Sequence, residues 1–204
     1  MGRRIDMSGL KNHALSKDTP KKLMFAAGVY YANLKWAVSG WTGTPIGATS
    51  GGGKVIITPE YVAPELDGAT VAVKGTKQLV SVAASMETTL TEFKEGIFKQ
   101  TLHLVEDTAT VIDGYTVLKP KSGLEDSDYL ENIAFVGKLT NGQRVIVIMD
   151  NALCTSPLEI EAKDKTQATY ACTFECHADI EQDDLTTLPV RVLFPKDVET
   201  VPTV

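Results

Sequence analysis

Two apolar runs, Asn132 to Leu139 and Arg144 to Met149, flank the tetrapeptide Thr140-Asn141-Gly142-Gln143. Asn-Gly between such runs is the strongest short-range signal of a β-hairpin, and it predicts a type I′ turn, whose two central residues both take positive φ. The second run, Arg144-Val-Ile-Val-Ile-Met149, is apolar at successive positions and therefore on both faces of a strand. A strand of that kind has to lie inside a sheet with material packed on either side. A chain that contains it is built around a covered sheet.

The rest of the sequence supplies partners. Val82, Met86 and Leu90 alternate with polar neighbours, which predicts a half-buried strand, and Val55, Ile57 and Pro59 open another. Ala69 to Lys74, bounded by Asp67-Gly68 and Gly75, reads as a further strand. Leu158 to Glu161 and Thr166 to His177 form a second hairpin across Lys163-Asp164-Lys165, and Val190 to Phe194 forms a last short strand. The period changes at Phe93, Ile97, Phe98, Thr101, Leu102 and Val105, which share one face of a helix begun by a Thr89-x-x-Glu92 capping box or by Thr91. The segment 23–38 is apolar without a clean period. From Ser39 to Lys54, glycine recurs so often that a long loop with tight turns is expected. The fold class that follows is mainly β (α+β): two packed antiparallel sheets, a β-sandwich or barrel, with one flanking α-helix. The expected core is Val82, Met86, Leu90, Phe93, Phe98, Leu102, Ile133, Phe135, Val145, Val147, Cys172 and Phe174.

Charge divides the chain unevenly. Residues 1–40 carry seven Lys/Arg against two Asp/Glu, and residues 41–204 carry thirteen against twenty-four, for a net −6 overall. The organisation expected is a basic N-terminal arm over 1–22, a β domain over 23–180 and a C-terminal tail over 181–204. An acidic body repels phosphate, which disfavours tight nucleic-acid binding through a basic cleft. Leu23 to Ala32 is ten residues, against the roughly 20 that span a bilayer, so no membrane segment is expected. The basic stretch before it is too long, and Tyr30-Tyr31-Ala32 is wrong for cleavage, for this to be an export signal. Three cysteines without framework spacing fit a reducing cytoplasm.

Motifs that suggest chemistry fail on inspection. Thr49-Ser-Gly-Gly-Gly-Lys54 looks like a phosphate loop, but Ala48 stands where glycine is needed and Val55 where Ser or Thr is needed, and a strand rather than a helix follows. Cys172 and Cys176 lie about 13 Å apart along a strand at 3.3 Å per residue, too far to share a zinc ion, and Cys154 is a small hydrophobe like them. The histidines at 13, 103 and 177 follow no pattern that activates a nucleophile. Glu92, Glu95, Asp150 and Glu159 sit where solvated or capping carboxylates belong, and the acidic loops Glu125–Asp128 and Glu181–Asp184 lack the ligand spacing of a calcium loop. No catalytic residue, metal or cofactor is expected. The chain reads as something other than an enzyme.

An arm, a glycine-rich loop and pairing strands suit an assembling protein, and several ordered blocks bear this out. Ile46-Gly-Ala-Thr-Ser-Gly-Gly-Gly-Lys-Val55, Leu66-Asp-Gly-Ala-Thr70, Val73-Lys-Gly-Thr76 and Met86-Glu-Thr-Thr-Leu-Thr-Glu-Phe93 resemble the major tail (tail tube) protein family of long, non-contractile-tailed bacteriophages. Asn132-Ile-Ala-Phe-Val136, Val145-Ile-Val-Ile148, Asn151-Ala-Leu153 and Asp164-Lys165 followed by Ala168 to Phe174 and His177 continue the likeness in order. Phages of low-GC Gram-positive hosts are nearest in style.

The resemblance implies a small β-sandwich or barrel with one helix, six copies in a ring, and rings stacked into a hollow tube through which DNA leaves without specific binding. Its partners would be itself, the tape measure, the tail terminator and the distal tail protein. It would reside in the virion tail after assembly in the host cytoplasm. Within that scheme Gly47, Ala48, Thr49, Ser50, Gly51, Gly52 and Gly53 are the expected contact between rings, in a loop on which the subunit's own fold does not depend. The alternatives are a sheath or baseplate subunit, a cell-surface β-sandwich binding module, and a β-rich hydrolase using His177 or Cys172.

Overall fold

A computed structural model describes residues 13–183 and 185–196. Eleven strands and one helix follow in order: β1 Val29–Ala37, β2 Gly40–Pro45, β3 Thr49–Val62, β4 Gln78–Leu90, α1 Glu95–Thr101, β5 Leu104–Glu106, β6 Leu118–Pro120, β7 Leu130–Lys138, β8 Arg144–Cys154, β9 Ile160–Lys163, β10 Thr166–Cys176 and β11 Val190–Leu193. Seven strands run in one path, β2-β1-β7-β8-β10-β4-β3, with β11 added to β8 and β9 to β10, while β5 and β6 form a small second sheet. Every pairing between these strands is antiparallel. The mainly β fold with one helix is as expected. Its two packed halves are continuous with each other through β8.

β8 makes that continuity possible by changing partners along its length. Residues 146–149 pair with β11, and residues 152–154 pair with β10. Between them Asn151 takes φ +48°, and its side-chain amide donates to His177 O at 3.3 Å. The bend curls the sheet until its ends meet. Tyr30 of β1 donates its hydroxyl to Glu87 O on β4 at 3.3 Å, and Ile46 N–H, just after β2, donates to Tyr30 O at 3.1 Å.

The core fills the inside of this curl. Met86, Leu90, Ile133, Met149, Tyr170, Cys172 and Phe174 are all buried there, with Ile97 of α1 closing one side. A smaller cluster of Leu34, Ala134, Ile146 and Ile148 lies on the outer face of the same strands. β8 is thus apolar on both faces because both faces are covered, as its sequence predicts. Of the expected core, Val82, Phe98, Leu102, Phe135 and Val145 are half-buried and Phe93 is 48% exposed, its ring packed on Phe98 and Tyr170.

Four local expectations are corrected. Residues 39–54 are not a long loop: they contain β2 and the first part of β3. Ala69 to Lys74 is not a strand but part of the 63–77 connection between β3 and β4. The helix begins at Glu95 and has no side-chain cap, because β4 carries Thr89 and Leu90 to its end; Val105 stands exposed on β5. The β7–β8 hairpin forms, but Asn141 does not take positive φ, and Gly142 alone does, at +88°. Gly142 N–H donates to Leu139 O and Leu139 N–H to Gln143 O, which is a type I turn with a glycine bulge rather than type I′.

Candidate assembly interface

Two surfaces stand out where the sheet is left uncovered, the glycine-rich stretch leading into β3 and the far end of the β3–β4 hairpin. Among the described residues no group of three or more His, Cys, Asp or Glu is placed to hold a metal ion, and no helix is long and apolar enough to cross a membrane.

The glycine-rich stretch is the first such surface. Gly47 takes φ +142°, and the next residue is pinned on both sides: Ala48 N–H donates to Glu92 Oε2 at 3.1 Å, and Ala48 O accepts from Thr91 N–H at 2.9 Å. Lys94 also bonds the Glu92 carboxylate, and these contacts hold it below the usual carboxylate range, the Lys94 bond contributing most. Thr49 then pairs with Leu90 and Gly53 with Thr88, so Ser50, Gly51 and Gly52 bulge out opposite the single residue Thr89. Gly51 and Gly52 take φ of +76° and +77° with open space around them. Gly53 is glycine for a different reason, since a Cβ there would overlap the Tyr30 hydroxyl and the backbone oxygen of Glu87.

The seven residues expected between rings therefore divide into two groups. Gly47, Ala48, Thr49 and Gly53 are built into the subunit, whereas Ser50, Gly51 and Gly52 project from it. The expectation that the fold is indifferent to the whole stretch is overturned by the Ala48 bonds, the close approach at Gly53 and the burial of Ile46.

β3 and β4 continue beyond this bulge into a second surface. β10 pairs with β4 only from Ser85 to Leu90, so Thr58–Val62 and Gln78–Ala83 pair only with each other. Tyr61, Val62, Leu79 and Val80 on this arm are exposed. Pro59 is accommodated because β3 is an edge strand, where a missing N–H breaks no ladder. The sequence offered Ile57, Tyr61, Val62, Leu79 and Val80 as a signal of this arm, but apolar residues in two paired runs read as core until the partner sheet is known to stop short.

The groups examined for chemistry are placed in structural roles. Cys172 lies in the core, while His177 stands beyond the end of β10 with its ring against Tyr129, so the two do not meet. Cys154 and Cys172 do meet. Cys154 Sγ has Ser156 Oγ at 3.5 Å, and the neighbouring Cys154 sulfur together with burial pushes the Cys172 thiol up. Asp150 bonds Arg191 at 2.6 Å, and Glu95 bonds Lys99 at 2.7 Å. Asp128 is buried rather than solvated: it accepts from Lys121 at 2.7 Å and from Glu125 N–H at 2.9 Å in a reciprocal capping box. Burial raises its pKa, but these bonds more than offset that and the net direction is down. The acidic loop Glu181–Asp184 and the basic arm reach outside the described residues at Asp184 and at 1–12.

No family model matches the chain, and no curated protein matches it. Among solved structures the chain is similar to one in the tail of an empty GTA particle, computed with helical refinement and C6 symmetry. The likeness covers 75% of this chain and 92% of that one, at 12% identity and a TM-score of 0.43. At that level it bears on neither family nor function, which rest on the residues themselves.

Proposed function

We propose that this chain is a structural subunit of a phage tail, and that its copies assemble as hexameric rings stacked into the tail tube, a conduit for DNA. The observation that carries the reading is the uncovered β3–β4 arm, with apolar side chains in water and, among the described residues, no further strand to pair with beyond Ser85. A two-stranded hairpin is marginal alone in water, so an arm of this length suits a subunit whose neighbours complete it. The ordered sequence blocks between Ile46 and His177 supply the tail-tube assignment.

In this proposal Gly47–Gly53 contacts the next ring through the projecting Ser50-Gly51-Gly52 bulge. Ordering two glycines is costly in conformational entropy, and a contact repeated around a ring offsets that cost. The tape measure, tail terminator and distal tail proteins are the further partners. The protein acts as a building block rather than an enzyme, made in the host cytoplasm and kept in the virion tail.

Negative-stain microscopy of the purified full chain over a range of concentrations tests this. Rings and hollow tubes are the expected result. Particles that stay monomeric at every concentration would point instead to a binding module. A sheath or baseplate subunit would give rings or plates without a tube.

A further inference from the structure

The turn between β7 and β8 puts a reactive pair at the surface. Asn141 is the one asparagine of the chain followed by glycine; Asn12, Asn33, Asn132 and Asn151 precede His, Leu, Ile and Ala. Asn141 and Gly142 are both exposed, and a Cβ at residue 142 would meet nothing within 4 Å. No side chain therefore hinders approach of the Gly142 nitrogen to the Asn141 amide carbon beside it.

The same turn anchors the N-terminal segment. Thr140 N–H donates to Leu23 O at 2.9 Å, Asn141 N–H to Lys21 O at 3.2 Å, and the Thr140 hydroxyl to Pro20 O. Met24 bridges to Leu139 and lies over Gly137, where a Cβ would run into its Cε and Sδ. Inside the turn both reacting groups are engaged. Gly142 N–H donates to Leu139 O at 2.9 Å; Asn141 Oδ1 accepts from Gln143 N–H at 3.0 Å, and its Nδ2 donates to Gln143 Oε1 at 2.6 Å.

We propose that Asn141 is a site of spontaneous deamidation, gated by the docked segment 20–24 and, once modified, unable to hold that segment. The reaction needs only water and a base from solution. The base takes the Gly142 N–H proton, the nitrogen bonds to Asn141 Cγ, and Nδ2 takes up a proton and leaves as ammonia, which gives a five-membered succinimide. Water then opens the ring. Cleavage of the new N–Cγ bond leaves aspartate; cleavage of the original peptide bond leaves isoaspartate, whose main chain runs through Cγ and is one carbon longer. The net exchange is amide and water for acid and ammonia, with nothing oxidised or reduced.

Gating follows from where the bonds lie. Cyclisation has to free Gly142 N–H from Leu139 O and swing the Asn141 side chain away from Gln143, so it proceeds from a locally opened turn. The segment holds that turn shut from outside, because its three bonds end on Thr140 and Asn141 and each adds to the cost of opening. The product acts back on the segment. A longer main chain at residue 141 cannot keep the bonds that Leu139 makes to Gly142 and to Gln143, and the N–H that Lys21 O accepts is displaced with them. The change runs one way, so a chain with a docked segment ages into one with a loose segment. This inference is independent of the assembly reading.

The test ages the purified full chain in mildly alkaline buffer and follows the tryptic peptide Leu139–Arg144 by mass spectrometry. The peptide should gain the mass of an amide exchanged for an acid and split into two chromatographic forms, one of them a substrate of isoaspartyl methyltransferase. Peptides holding Asn33, Asn132 and Asn151 should stay unchanged. Two variants loosen the segment through different contacts, Met24→Asp over Gly137 and Thr140→Val at Pro20 O, so that either carries the comparison if the other misfolds. Conversion should run roughly threefold to tenfold faster in each than in the wild type. Brief trypsin treatment of the folded protein should cut after Lys21 and Lys22 sooner in aged chains than in fresh ones. An intact Asn141 peptide in all three proteins overturns the site, and equal rates in all three overturn the gating. Isoaspartate-bearing chains cut no faster than fresh ones overturn the release.

Discussion

Asn132 is buried on β7 and does with one side chain what a strand pair does with two backbones: its Oδ1 accepts from Leu34 N–H at 2.8 Å and its Nδ2 donates to Leu34 O at 3.1 Å. It is needed because β1 slips register there, with Asn33 at φ +54°, and leaves Leu34 without a ladder partner. Asn132→Leu should lose about 2–4 kcal/mol, since two buried backbone groups are orphaned at roughly 1–3 kcal/mol each; a denaturant midpoint equal to the wild type would disprove it. Gly53→Ala should lose about 1–3 kcal/mol by overpacking against Glu87 O. Tyr170 offers a test in pH. Burial above all, with the nearby Glu92 carboxylate adding to it, pushes its phenol up to about 12. The folded state therefore holds that proton more tightly than the unfolded state does, near the ordinary value of about 10. The stabilisation is fully present below pH about 10 and is lost as pH climbs toward about 12. Phenolate absorbance should show a late component that coincides with unfolding and that is missing from Tyr170→Phe.

At the scale of elements, the central strands were readable because their own side chains settle their environment. Ile146 to Met149 cannot be on a surface, and the turns at Asn141-Gly142 and Asp164-Lys165 fix where their hairpins reverse. The elements misread were those whose form depends on a neighbour. Gly53 sits in a strand because it pairs with Thr88 of β4 and Tyr30 leaves no room for a side chain there, which no local pattern expresses. Thr89 and Glu92 have capping-box spacing, yet the demand for Leu90 opposite Tyr170 keeps that residue in a strand, and Glu92 reaches Ala48 instead. The candidate surface was half legible for the same reason: the glycine bulge stands out in the sequence, but the β3–β4 arm is uncovered only because β10 pairs with β4 no further than Ser85, which no local pattern expresses. Phe174, on the core side of β10, should cost about 3–5 kcal/mol as Phe174→Ala. Replacing residues 60–80 by a two-residue turn should leave the melting temperature within a few degrees of the wild type, because those residues pair with nothing in the body. Unfolding of that variant would show that the arm is part of the core after all.

For the whole molecule the deciding quantity is charge. Residues 41–204 hold thirteen cations against twenty-four anions, so the β body is negative on balance. Binding to duplex DNA is driven by release of counterions as cations neutralise phosphates, and a body with this balance offers few such contacts while its carboxylates repel the strand. A conduit needs that property, because a lining that gripped phosphate would hold the DNA it has to pass. The assembled protein should therefore show no retention of duplex DNA in a filter or gel assay at about 0.15 M salt, where non-specific affinities for ordinary DNA-binding proteins are about 10⁻⁴ to 10⁻⁶ M. Lowering the salt should recover little binding, because weaker screening strengthens the repulsion between carboxylates and phosphates as well. Retention of duplex DNA by the assembled form at about 0.15 M salt would remove the electrostatic case for the proposed conduit.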